Sequence, residues 1–151
     1  MSPRAPFIPP LALVILLSLV AFGLGQLHWI PLPNIPAFVP VAICLLGAII
    51  TALAFMQFRR HNTSVNPMQF CNNTTLLDSG VFAWSRNPIY LGMLVFLLGA
   101  ALFNRDGMAF IPCVVFYIWI NYWQIAVEEF HLQRQFGTLY TQYCKKVRRW
   151  L

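Results

Sequence analysis

"PAFVPVAICLLGAIITALAFMQF", Pro36 to Phe58, runs without one charged side chain and is closed by Arg59 and Arg60. A bilayer core is about 30 Å thick, and a helix needs roughly 20 mostly apolar residues to cross it. The stretch therefore reads as a membrane span, and the rest of the chain follows suit. Of its 151 residues, 59% are hydrophobic and only 9% charged, against about 25% charged in a soluble domain. Three more apolar runs accompany it: Pro9–His28, the shorter Ile89–Phe103, which ends at "NRDG", and Met108–Val127. "PPLALVILLSLVAFGLG" is too long for the apolar part of a signal peptide and no small-residue cleavage site follows it, so it too reads as a span. The expected fold is an all-α polytopic membrane bundle of four spans in one domain, residues 1–151, with two N-terminal spans over 1–58.

Charge placement sets the orientation. Of the ten Lys and Arg residues, only Arg105 falls between spans three and four. Arg4, Arg59, Arg60, Arg86, Arg134, Lys145, Lys146, Arg148 and Arg149 all fall on the opposite side. Basic residues are retained on the cytoplasmic side of a membrane. Both termini and the Arg59–Pro88 connection are therefore expected in the cytoplasm, in a multi-pass protein of the cytoplasmic membrane. A net charge of +6 placed there faces anionic lipid, and no base-reading motif points to nucleic acid. Cys44, Cys71, Cys113 and Cys144 are far apart and form no C-x-x-C pair, which excludes a disulfide framework. The sequons at Asn62, Asn72 and Asn73 fall on the cytoplasmic side and are chance matches.

Between spans one and two, "WIPLPNIP" (Trp29–Pro36) reads as a tight uncharged turn on the outer face. After span four, Leu132, Phe136, Leu139, Tyr143, Val147 and Trp150 recur every three or four residues. That period predicts an amphipathic helix along the cytoplasmic interface, with Gly137 as an irregularity.

Polar residues near the membrane are few, so their spacing is informative. "SRNPIYLG", Ser85 to Gly92, opens span three. Asn is a favoured helix N-cap and Pro a favoured first helical residue, so Asn87-Pro88 should start the helix. Its unpartnered N–H groups and dipole, beside Arg86, would make an anion-binding corner; a plain cap with a snorkelling arginine fits the same residues. Gly92 and Gly99 share one stripe of span three, as packing glycines or as room for a ligand. In span four, Asn121, Gln124, Glu128 and His131 form a polar stripe that should face the bundle. Glu128 and Glu129 are two of only four acids in the chain. Glu128-x-x-His131 has di-iron spacing, but the carboxylates that such a site needs from other helices are missing, so no metal is expected. His28 and His61 have no partners in sequence.

Arg86-Asn87-Pro88-Ile89-Tyr90, eight residues, Gly99, and then Glu128-Glu129 resembles the signature of the isoprenylcysteine carboxyl methyltransferase family. That family shares a cofactor region with membrane phospholipid methyltransferases. The tail "EEFHLQRQFGTLYTQYCKKVRRWL" is similar to the family's ending, and "TSVNP" and "LLDSGVF" resemble segments that precede its motif. The likeness covers about Thr63 to Leu151. It implies S-adenosylmethionine as methyl donor, bound by residues 59–151. It implies Arg86, Asn87, Pro88, Tyr90, Gly99, Gln124, Glu128 and Glu129 as cofactor contacts, and Arg86, Glu129 and Arg148 as catalytic. The acceptor would be a lipophilic small molecule or lipidated carboxylate, thiol or amine, held by Arg59, Arg60 or Arg148. Asn87 stands where the family commonly has histidine, and Val81, Phe82 and Ala83 where it often has Pro-Tyr-Arg; these departures bear on the acceptor more than on the donor. Two other readings remain: a non-enzymatic membrane assembly protein whose polar stripe is an interhelical seam, and a sterol-type reductase relative. The acceptor and the oligomeric state are not written in the residues.

Overall fold

The computed structural model describes residues 8–60 and 76–151. Arg4, His61, Cys71, the three sequons and "TSVNP" lie outside the described residues. Those described form helices and no strand, connected in the order α1 (Pro10–Gly25), α2 (Phe38–Arg60), α3 (Pro88–Phe103), α4 (Ile111–Trp119), α5 (Ile125–Phe136) and α6 (Thr138–Lys146). Short 3-10 turns precede α3 at Gly80–Ala83 and α4 at Gly107–Phe110.

α3 is the centre of the bundle, packed by α2 on one side and by α1 and α4 on another. The α2–α3 contact exists because both helices put glycine there. A Cβ on Gly92 would lie 2.7 Å from the Gly47 carbonyl oxygen and 2.8 Å from the Thr51 nitrogen. Small residues let the backbones approach, and dispersion between them replaces the hydrophobic drive that lipid cannot supply. Gly99 belongs to the same seam, where its Cβ would meet the Cys44 nitrogen at 2.8 Å and the Pro40 oxygen at 2.9 Å. The core beyond it is Leu13, Leu17, Ala21, Leu97, Ala101, Phe116 and Ile120.

Contacts along the seam set the directions. Cys44 and Gly47, early in α2, meet the later part of α3, and Gln57, late in α2, binds Ser79 before α3. Gly25 ends α1 beside Asn104 at the end of α3. Successive helices thus run up, down, up and down. The described chain begins and ends at the same end of the bundle, together with Arg59, Arg60, Arg86, Arg134, Lys145, Lys146, Arg148 and Arg149.

Among the described residues, two helices are long and apolar enough to cross a membrane: Phe38–Arg60, and the continuous Gly107–Phe136 that contains α4 and α5. The exposure of α2 separates it from a soluble core helix, since only 17% of its apolar window is buried. Leu19 and Phe22 of α1 and Phe38, Leu45 and Ile49 of α2 stand open, a patch far beyond what water tolerates. α1 and α3 have 16 residues each, about 24 Å at 1.5 Å per residue. They are shorter than a bilayer core, and span one in particular ends before the expected His28.

The turns at the Arg105 end are not independent. Pro31 bridges Asp106, Leu32 N–H donates to the Arg105 carbonyl at 2.9 Å, and Gly107 N–H donates to the Ile30 carbonyl at 2.8 Å. The Asp106 carboxylate, fully buried, accepts from Ile30 N at 2.9 Å and Met108 N at 2.8 Å. "WIPLPNIP" is therefore half of a clasp with the α3–α4 turn. The C-terminal half also departs from the expected helix. α5 stops at Gly137, whose φ of 52° and ψ of −118° suit glycine alone. α6 ends at Lys146, and Val147 is extended. The three-four period found Tyr143 and Val147, with Leu132 and Phe136 packed against them, but it missed the buried Tyr140, included Leu139, which is exposed, and carried the helix too far.

Candidate active site

At the charged end, the first turn of α3 meets the acidic turn of α5. Between α4 and α5 the helix widens into one π turn, Ile120–Gln124. Such a turn inserts one residue and rotates the helix beyond it by about 100°. The expected polar stripe is therefore divided. Before the break, Asn121 points its Oδ1 at the C-terminal tail, accepting from Arg149 Nη1 at 3.1 Å and Trp150 Nε1 at 3.2 Å. After it, Gln124 is buried and turns toward α3 with Glu128. His131 packs its ring edge-on to Phe130.

The two acids have different surroundings. Glu128 Oε1 accepts from the Tyr90 hydroxyl and from Gln124 Nε2 at 2.7 Å. Both donors are neutral and fall on one oxygen, so among the described residues Oε2 takes no protein donor. Glu129 is held by two cations: Arg86 Nη2 reaches Oε1 at 3.1 Å. Arg149 binds in a fork, through Nε to Oε1 at 3.2 Å and through Nη2 to Oε2. Forked arginine–carboxylate pairs fix orientation as well as charge. Arg86 also donates to the Cys144 sulfur, while its buried Nε has no partner.

The anion corner expected at the start of α3 is largely filled by the chain itself. Arg86 N–H donates to the Arg148 carbonyl at 3.0 Å. Ser85 Oγ and Asn87 Nδ2 donate to the Arg149 carbonyl at 3.3 and 3.1 Å, and Asn87 N–H donates to Ser85 Oγ. Asn87 occupies the N-cap position before Pro88 but makes no side-chain cap; a buried tail carbonyl takes its amide instead. The last turn of α6 is pinned by Tyr143, whose hydroxyl donates to the Phe82 carbonyl at 2.6 Å. Burial pushes this phenol above its ordinary value of 10.0, so it remains a donor.

Arg86, Asn87, Pro88, Tyr90, Gln124, Glu128 and Glu129 thus come together, and two expected residues do not. Gly99 faces α2, where packing and not a ligand needs it small. Arg148 offers only its backbone, its side chain being exposed; the cation on Glu129 is its neighbour Arg149. Arg149 and Trp150 were not legible as partners of this cluster, because they lie beyond the last helix, where no period applies; Ser85 before α3 and Cys144 on α6 were missed as well, whereas Asn121 was part of the expected stripe.

Residues 36–139 match the family model for phospholipid methyltransferases. The chain belongs to the phospholipid methyltransferase family. Within it, the chain is similar to an uncharacterized protein of Haemophilus influenzae, 41% identical over 63 residues, which are 42% of this chain and 100% of that protein. It is similar to the protein-S-isoprenylcysteine O-methyltransferase of Tribolium castaneum, 26% identical over 126 residues, 83% of this chain and 42% of that enzyme. A probable protein-S-isoprenylcysteine O-methyltransferase of Oryza sativa subsp. indica is 25% identical over 111 residues, 74% of this chain and 58% of that one. The chain thus spans about half the length of these two methyltransferases. The matched region of the family contains α2, α3, the π turn and both acids, and the resemblance drawn from the Arg86–Glu129 signature is borne out.

Proposed function

We propose that this chain is an S-adenosylmethionine-dependent methyltransferase acting on a lipophilic acceptor at the cytoplasmic end of a four-span bundle. Family membership supports methyl transfer. The observation that carries the site is the meeting of α3 with α5, where Tyr90 holds Glu128 and Arg86 holds Glu129. The residues fit the donor molecule: Arg86 Nε is a buried N–H without a partner, suited to a carboxylate, and Glu128 Oε2 is an acceptor suited to an ammonium or ribose hydroxyls. Arg86, Tyr90, Gln124 and Glu128 would hold it, with Glu129 fixing Arg86. When bound, it supplies an electrophilic methyl carbon for in-line displacement by the acceptor. The protein's part is alignment and exclusion of water. Tyr90 and Gln124 orient the Glu128 carboxylate, and the buried apolar flank of α3 keeps bulk water from the reacting centre.

Residues 59–151 form the cofactor-binding region in this reading, and α1 and α2 anchor it in lipid. The acceptor takes its class from the isoprenylcysteine and phospholipid names of the relatives. Exposed Arg59, Arg60 and Arg148 meet an acidic acceptor or anionic lipid at the interface. The test is transfer of labelled methyl from S-adenosylmethionine into a total lipid and protein extract, with titration of purified protein by S-adenosylhomocysteine. Wild type should bind saturably and label a lipophilic product, and Glu128→Gln should lose at least about tenfold in affinity, the worth of one charged hydrogen bond. Absence of saturable binding by folded wild type would overturn the reading.

A further inference from the structure

The unpartnered Nε of Arg86 is buried in a closed cluster. Arg86 and Glu129 keep only 15% and 19% of their side-chain surface exposed, and the segment after α6 is laid across them. A ligand group reaches the buried Arg86 Nε only if something moves. α3 is held along its length by α2 and also packs on α1 and α4, whereas the chain after Val147 lies beyond the last helix. Val147 is buried, extended and tied by its N–H to the Tyr143 carbonyl at 3.0 Å. Beyond it, Arg148–Leu151 is attached through named groups. Its Arg148 and Arg149 carbonyls accept from Arg86 N–H, Ser85 and Asn87. Its Arg149 guanidinium binds Glu129 and Asn121. Its Trp150 donates to Asn121 and lies against Tyr117 with ring centroids 5.1 Å apart. The segment joins the start of α3, the π turn and α5, the three pieces that carry the candidate site. Arg149 is its most exposed tie to an acid, at 34%.

We infer that Arg148–Leu151 is a strap hinged at Val147 that closes over the candidate site, and that Arg149 is its positioning residue, catching Glu129 when the strap is shut. The strap opens by releasing the Arg149 fork and the two carbonyls, which exposes the Arg86 side of the cluster, and it shuts behind a bound ligand. Arg149 acts through Glu129 and the strap and need not touch the ligand. The inference rests on the proposed function only for the identity of that ligand.

The experiment uses full-length protein in nanodiscs and has two readouts. Without ligand, amide exchange of Arg86 reports the bond to the Arg148 carbonyl. It should be slow in wild type and at least about tenfold faster in Arg149→Ala, a loss of about 1.4 kcal/mol in closure. Equal protection in the two proteins overturns the strap. With S-adenosylhomocysteine as probe, Arg149→Ala should raise the dissociation rate about tenfold and leave association unchanged or faster, with Arg149→Lys in between because it restores charge without the fork. A purely structural defect would lower the fraction of binding protein without changing its dissociation rate, and an unchanged rate in folded Arg149→Ala overturns the inference. If wild type binds no probe, the proposed function fails and the ligand-free amide readout alone decides the strap. Should Arg149→Ala not fold, Ser85→Ala removes one donor to the Arg149 carbonyl and is read in the same two ways.

Discussion

Glu128 and Glu129 are the same residue at adjacent positions, yet their surroundings give them separate work. Glu128 is met by two neutral donors, Tyr90 and Gln124, both on one oxygen. Two arginines on Glu129 give a cluster with one surplus cation. Removing one partner of a buried pair is costly because the other charge is stranded, so Glu129→Ala should harm folding as well as any activity. Tyr90→Phe is a finer probe. It deletes one hydrogen bond to a carboxylate, worth about 1.5–3 kcal/mol, and keeps the ring in the core. S-Adenosylhomocysteine should bind roughly tenfold or more weakly by calorimetry, and the thermal midpoint should fall by several degrees at most. Affinity within twofold of wild type would remove Glu128 from the proposed binding set.

Among the elements, the glycines divide by what surrounds them. A methyl group added at Gly23 on α1 has nothing within 4 Å, whereas one at Gly92 on α3 meets backbone atoms of α2. Gly23→Ala should therefore be neutral or stabilising by up to about 1 kcal/mol. Gly92→Ala should force α2 and α3 apart at a cost of about 1–3 kcal/mol, read as a fall of several degrees in thermal midpoint in detergent. A midpoint unchanged in Gly92→Ala would show that the seam is not tight. Gly137 is constrained by its backbone instead. With φ at 52° and ψ at −118°, alanine there costs about 1–3 kcal/mol and would swing α6, carrying Tyr143 away from the Phe82 carbonyl.

On the scale of the whole molecule, the up-and-down path and the charges agree. Arg105 stands alone at one end of the described residues, and the remaining described cations gather at the other with the start of α3 and the acids. If the basic residues orient the molecule, the proposed site is expected on the cytoplasmic side. Single cysteines placed in a cysteine-free chain test this in closed vesicles of known sidedness. A cysteine replacing Lys145 should react with an impermeant maleimide only from the cytoplasmic face, and one replacing Trp29 only from the outer face. The reverse pattern would move the proposed site across the membrane. The clasp at the Arg105 end is equally a whole-molecule feature, because Asp106 joins the turn before α2 to the turn before α4.

Apolarity and helical period act locally, which is why α2, α3 and the apolar part of α4–α5 stand near where the residues alone placed them. Gln124 and Glu128 were legible for the same reason, on one helical stripe where polar groups beside lipid are costly; Arg86 stood out beside the start of α3, Glu129 as the second of an acid pair, and Tyr90 only through the family resemblance. Tertiary structure decided what no period encodes. One extra residue in the π turn split the polar stripe, the close approach of α2 drew Gly99 into packing, and an aperiodic tail brought Arg149, rather than Arg148, onto Glu129. Such pairings join residues far apart in the chain, and they depend on helix rotation and tail path, which come from packing the whole bundle rather than from the preference of any single segment.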